Sequence, residues 1–201
     1  MKKLVLIGLL ILGLNTLNAQ SNTGDFTLAP QLGVAFSTYT PSDRNYGYDA
    51  RISLTAGAIV EYYLNDRWSL RSGLLYDTMG AKDGYDNIDK LNYLSVPLNA
   101  NWHFGKNRNW FLNFGPSVAF IESAKTEFSD GPTVDIKDFL KSVDVGIALG
   151  IGYKFDVSEN FQLVIDYQGY GGFIDVAEDG ILPYGIRNSK SSFNVGGVFK
   201  L

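Results

Sequence analysis

The 201-residue sequence contains no cysteine. That absence excludes a disulfide framework, a thiolate metal centre, a cysteine nucleophile and a lipid-modified cysteine after the leader. Histidine occurs once, as His103, and methionine twice. Beyond the leader no stretch is continuously apolar for about 20 residues, so no transmembrane helix is predicted. Basic residues are outnumbered, 17 Lys and Arg against 21 Asp and Glu. A mildly acidic chain has no electrostatic case for binding nucleic acid.

What is present begins with a leader. Lys2 and Lys3 precede an apolar run from Leu4 to Leu14, and Leu17-Asn18-Ala19 supplies the small residue needed at a cut. Residues 1–19 read as a secretory signal peptide, too short in its apolar part to span a bilayer. Loss of Lys2 and Lys3 takes the formal net charge from -4 to -6. Residues 20–201 are expected to form one domain.

Period-two alternation then runs through most of the chain, while Gly (22), Tyr (12) and Phe (13) are abundant. It predicts eight strands: Phe26 to Thr38, Arg51 to Leu64, Trp68 to Met79, Leu91 to Phe104, Trp110 to Ile121, Ser142 to Phe155, Phe161 to Phe173 and Ser191 to Leu201. Each has about the length that a tilted membrane strand needs. Connections alternate between tight (Asn65 to Arg67, Gly105 to Asn109, Asp156 to Asn160) and long (Thr40 to Ala50, Gly80 to Lys90, Glu122 to Lys141, Ile174 to Lys190). Short periplasmic turns alternating with long extracellular loops are the outer-membrane pattern.

Alternation alone does not say which face is outward, since a soluble barrel buries its apolar set. Here the polar set is crowded with Gly, Ala and Ser, which suit a narrow lumen. Trp68, Trp102 and Trp110 lie on the apolar face beside the tight turns, with Tyr62, Phe104, Tyr153, Phe155 and Phe161 at the same level. Phe36, Tyr76, Phe120, Phe173 and Phe193 lie at the opposite ends. Two aromatic belts around an aliphatic band mark a bilayer-spanning barrel. The prediction is an all-β, eight-stranded, antiparallel up-and-down transmembrane β-barrel in an outer membrane.

The last strand, which would leave an open edge, closes that edge by pairing with the first. Its order of polar, glycine and apolar positions from Asn194 through Gly196 and Phe199 to Leu201 resembles the C-terminal assembly signal of bacterial outer-membrane barrels. The resemblance implies the barrel-assembly machinery as a partner. Leu91-Asn92-Tyr93-Leu94-Ser95-Val96-Pro97-Leu98 resembles the Tyr-Leu-acidic-Ile-Pro-Leu strand of the PorT-like outer-membrane β-barrel family, with Ser95 in the acidic place. Most members of that family have no assigned activity, and the namesake assists a protein-secretion system. A shared barrel does not transfer that role. Pro97, like Pro30 and Pro116, lacks a ladder donor and predicts a bulge or bend.

Little of the chain suggests catalysis. His103 falls on the luminal parity, where Ser69 and Ser95 read as strand-interior serines and not as members of a triad. Gly146, Gly150 and Gly152 resemble a dinucleotide fingerprint only in part, because Phe155 takes the third place and no helix follows. Asp83, Asp86 and Asp89 do not have EF-hand spacing. No cofactor, metal or catalytic residue is assigned.

The luminal charges carry the remaining information. Arg51, Glu61, Arg71, Asp77, Asp144, Lys154, Asp166 and Lys200 all fall on the inward parity, and buried charges must be paired. A three-residue turn at Asp66 sets Glu61 opposite Arg71, which predicts an ion pair between them. Eight strands leave room for little more than their own side chains. The expected protein is therefore a non-enzymatic, monomeric envelope protein with a plugged lumen, lipid around it and an unidentified extracellular ligand at its loops. The alternatives are a narrow gated, porin-like channel and an accessory of a protein-secretion system.

Overall fold

The computed structural model describes residues 23–201; the leader and its cleavage site lie outside the described residues. Nine strands follow one another: β1 (Phe26–Pro41), β2 (Arg51–Tyr63), β3 (Trp68–Met79), β4 (Ile88–Phe104), β5 (Trp110–Glu127), β6 (Thr133–Asp135), β7 (Val143–Ser158), β8 (Phe161–Gly172) and β9 (Ile186–Lys200). A single 3-10 turn, Lys137–Phe139, is the helical element among the described residues.

Eight strands form the barrel, each antiparallel to the next, and β9 pairs with β1 to close the ring. Short β6 adds to the loop end of β5. Closure leaves neither terminal strand with an open edge. The Leu201 N–H donates to the Phe26 carbonyl at 2.9 Å, so both ends of the barrel domain meet at the short-turn end.

The alternation has the sense expected of a membrane barrel. Leu54 is 70% exposed and Leu149 60%, whereas Arg71 is 6% exposed and Glu61 5%. Apolar residues face out and charges face in, which inverts a soluble core. Outward aromatic rings touch around the short-turn end, Trp102 on Phe104 at 5.0 Å, Trp110 on Tyr153 at 4.9 Å and Phe161 on Phe199 at 4.8 Å. No helix among the described residues is long and apolar enough to cross a membrane.

Two expectations are corrected. Strands reach further at the loop end than the alternation suggested: β9 begins at Ile186 and not Ser191, and β5 continues to Glu127. Pro97 and Pro116 cause no bulge. The β4–β5 ladder lapses between Pro97–Ser117 and Ala100–Phe114 and resumes in the same register. A missing donor removes a hydrogen bond without inserting a residue. The bulge in this pair lies at Asn92/Tyr93.

Candidate functional site: the lumen and its cap

The inward side chains form layers that can be followed from the short turns towards the loops. At the rim, Lys200 pairs with Asp25 at 2.6 Å, both partly exposed. Above it, Glu61 gathers four donors. Its Oε2 accepts from Lys154 Nζ at 2.7 Å, and its Oε1 from Ser69 Oγ at 2.5 Å, Asn101 Nδ2 at 2.7 Å and His103 Nε2 at 2.7 Å. Lys154 also donates to the Tyr63 hydroxyl at 2.6 Å. Next, Arg71 Nη2 meets Asp166 Oδ2 at 2.8 Å, and Asn194 Nδ2 donates to the other oxygen of Asp166 at 2.6 Å. The fully buried Phe111 ring lies between these layers, 5.2 Å from the Arg71 guanidinium and 5.6 Å from Lys154 Nζ. Such contacts hold both cations over the ring face.

The register sets Glu61 against Arg71 as the turn demanded, but the expected pair between them does not form. Each reaches across the lumen instead. In a barrel this narrow the far wall is as close as the neighbouring strand, and Glu61 finds a lysine, a histidine and two neutral donors at one point.

Towards the loops, Lys190 pairs with Asp77 at 2.5 Å, with Thr55 Oγ1 also donating to Asp77 at 2.7 Å. Lys190 was missed because it falls where the sequence read as loop. The alternation Ile186, Asn188, Lys190, Ser192, Asn194 carries the inward parity back that far and was the available signal. Arg51 donates to the Met79 carbonyl at 2.9 Å and not to a carboxylate. Asp144 was expected in an ion pair, but no cation among the described residues reaches it, since Lys190 is held by Asp77.

A cavity of about 50 Å³ separates the Arg71 and Lys190 layers, bordered by Gln31, Asn99, Ser117 and Gln168. That is room for a few waters and no more.

Ser69 Oγ does lie 2.9 Å from His103 Nε2, closer than strand-interior placement implied. The carboxylate of Glu61 binds the same nitrogen. A triad needs the acid on the other ring nitrogen, so that Nε2 is free to take the serine proton. Here Nε2 is held as a donor to Glu61, and the serine hydroxyl is spent on the same oxygen.

At the other end the strand ends and loops pack together. Tyr39, Met79, Leu91, Tyr93, Val176 and Ile186 form a buried apolar cluster, against which Tyr48, Leu140 and Tyr184 pack. The Tyr48 and Tyr184 hydroxyls are 2.9 Å apart, and Tyr46 stacks on Tyr184 at 3.9 Å. Burial and the Tyr184 contact push the Tyr48 hydroxyl up from its ordinary range. The tip of the loop between β3 and β4 is open: Tyr85 is 82% exposed.

A closed barrel with an apolar exterior and an ion-paired interior defines a membrane-spanning β-barrel protein. Residues 18–178 match the family described as outer membrane protein beta-barrel domain, and the chain belongs to that family, which places it in the outer membrane. No curated protein matches it. Among solved structures it is similar to the N-terminal beta-barrel domain of Pseudomonas aeruginosa OprF, with 14% identity over 90% of this chain and 100% of that one, and a TM-score of 0.52. Outer membrane protein OprG from Pseudomonas aeruginosa gives 13% identity over 91% and 98%, again at 0.52. Neisserial surface protein A gives 14% over 88% and 97%, with the same score. At such identities the likeness is one of fold.

Proposed function

We propose that the protein is a non-enzymatic envelope protein, exported by a cleaved leader at residues 1–19, whose barrel is a closed anchor and whose loops form a recognition surface. The observation that carries this reading is the stack of three buried ion pairs, Glu61–Lys154, Arg71–Asp166 and Asp77–Lys190, across a lumen in which the cavity between the Arg71 and Lys190 layers has only about 50 Å³. Each pair spans the barrel, so an ion moving through must break charges apart in a poorly hydrated interior. The packed tyrosines of the cap support an ordered outer surface, and the exposed Tyr85 and Phe128 give it contact residues. The strand from Leu91 to Leu98 supports a place in the PorT-like branch, and Asn194 to Leu201 supports insertion by the barrel-assembly machinery.

Reconstitution into planar bilayers tests the closed lumen. Silence at moderate voltage is expected, and stepwise conductance would replace this reading with a narrow gated channel. Crosslinking through a photoreactive residue at Tyr85 in live cells should capture a surface partner. A deletion strain that loses surface export of other proteins would instead favour a secretion accessory.

A further inference from the structure

Four buried carboxylates, Glu61, Asp77, Asp144 and Asp166, face three buried lysine or arginine cations in the lumen. The cations are used one to one: Lys154 on Glu61, Arg71 on Asp166 and Lys190 on Asp77. Asp144 is the carboxylate left over, 1% exposed on β7 directly beneath the loop cap. A buried carboxylate is neutralised, paired or bound to a metal.

The surroundings of Asp144 are rich in oxygen. Its Oδ2 accepts from Asn188 Nδ2 at 2.9 Å, and the same amide nitrogen donates to the Tyr93 hydroxyl at 3.2 Å. Asp144 Oδ1 and Asn188 Oδ1 are buried without a hydrogen-bond partner. The Tyr170 hydroxyl faces the same carboxylate, in contact range of Asp144 but outside ordinary hydrogen-bond geometry. Gly172 lies against Asp144 and Asn188, where a side chain would crowd their oxygens. A Cβ built there would lie 3.1 Å from Asp144 Oδ1, 3.2 Å from the Asn188 carbonyl and 3.3 Å from Asp144 Oδ2.

We propose that Asp144, Asn188 and Tyr170, beside Gly172, bind an alkali-metal cation of sodium's size class at the top of the lumen. A proton on Asp144 would satisfy one acceptor and leave the Asn188 oxygen orphaned, whereas a cation serves several oxygens together. One carboxylate among neutral oxygens suits a monovalent ion, because calcium takes six to eight oxygen ligands with more carboxylate charge. The ion also meets the one fully buried carboxylate that no lysine or arginine of the described residues reaches. This site stands whether or not the lumen conducts.

The test uses the full barrel in phosphatidylcholine vesicles, unfolded by urea in sodium chloride or in choline chloride at equal ionic strength. The wild-type midpoint should rise saturably with sodium, since a ligand that binds only the folded state stabilises it. Asp144→Asn should abolish the response. Tyr170→Phe, which keeps the ring and should fold normally, should raise the half-saturating sodium concentration by about tenfold. Equal wild-type midpoints in sodium and choline would overturn the site. So would a wild-type sodium response in Tyr170→Phe, and that variant decides the matter even where Asp144→Asn does not fold.

Discussion

Glu61 sits directly opposite Arg71 in the β2–β3 ladder, yet each forms its ion pair with a strand on the far side of the lumen. The arrangement ties β2 to β7 and β3 to β8. Removing one partner of a buried pair typically costs roughly 3–5 kcal/mol, while replacing both with apolar groups is often close to neutral. Lys154→Met and Arg71→Met should each destabilise the barrel strongly. Adding Glu61→Gln to the first and Asp166→Asn to the second should recover much of the loss. Double-mutant cycles in lipid vesicles should give coupling of roughly 0.5–3 kcal/mol for the cross-lumen pairs. A larger coupling between Glu61 and Arg71 than in either would refute the assignment.

Two luminal glycines should respond differently to a methyl group. At Gly152 an added Cβ would lie 2.3 Å from the Phe111 ring and 2.7 Å from Asp166 Cβ. Phe111 is packed beneath Arg71 and Lys154 and has nowhere to go. Gly152→Ala should cost about 1–3 kcal/mol by overpacking. At Gly150 the added Cβ meets the amide end of Gln168, 2.1 Å from its Oε1, and Gln168 borders the cavity. That amide can swing aside, so Gly150→Ala should be the milder change in urea unfolding. Equal losses would contradict this account of the space.

The end of β9 should matter at insertion and not at export. Phe199 packs on Phe161, Lys200 holds Asp25, and the Leu201 N–H reaches the Phe26 carbonyl. Deleting residues 199–201 should leave the chain in the periplasm, processed but uninserted. Cell fractionation checks this, and normal outer-membrane levels of the shortened chain would remove the case for an assembly signal.

Asp83 should give the loop between β3 and β4 a pH limit. Burial works to raise its carboxyl, but bonds from the Asn87 side chain at 2.8 Å and from the backbone N–H groups of Tyr85 at 2.8 Å and Asn87 at 3.0 Å hold it below its ordinary value. A depressed folded value stabilises the turn above the ordinary carboxylate range, and that support is lost as pH falls through the depressed value. The Tyr85 and Asn87 amide signals should therefore shift at a pH below that for a free aspartate. Asp83→Asn should make them insensitive to acid. Movement at the free-aspartate value would show that the turn does not hold the carboxylate.

The sequence by itself determined the eight strands of the barrel, the face each side chain takes and the alternation of short and long connections, but neither β6 nor the reach of β5 and β9 at the loop end. Those properties follow from the period-two geometry of a strand and from the bilayer's demand for an apolar band with aromatic edges. Even the Glu61–Arg71 register was legible, because a hairpin turn sets it locally. The tertiary structure alone decided who pairs with whom inside. Closing the barrel brings Lys154 to Glu61, Asp166 to Arg71 and Lys190 to Asp77, contacts between residues distant in the chain. Parity states only that a side chain points inward. The angular position of each strand around the ring then selects its partner, and it left Asp144 among oxygens with no cation from the described chain to meet it.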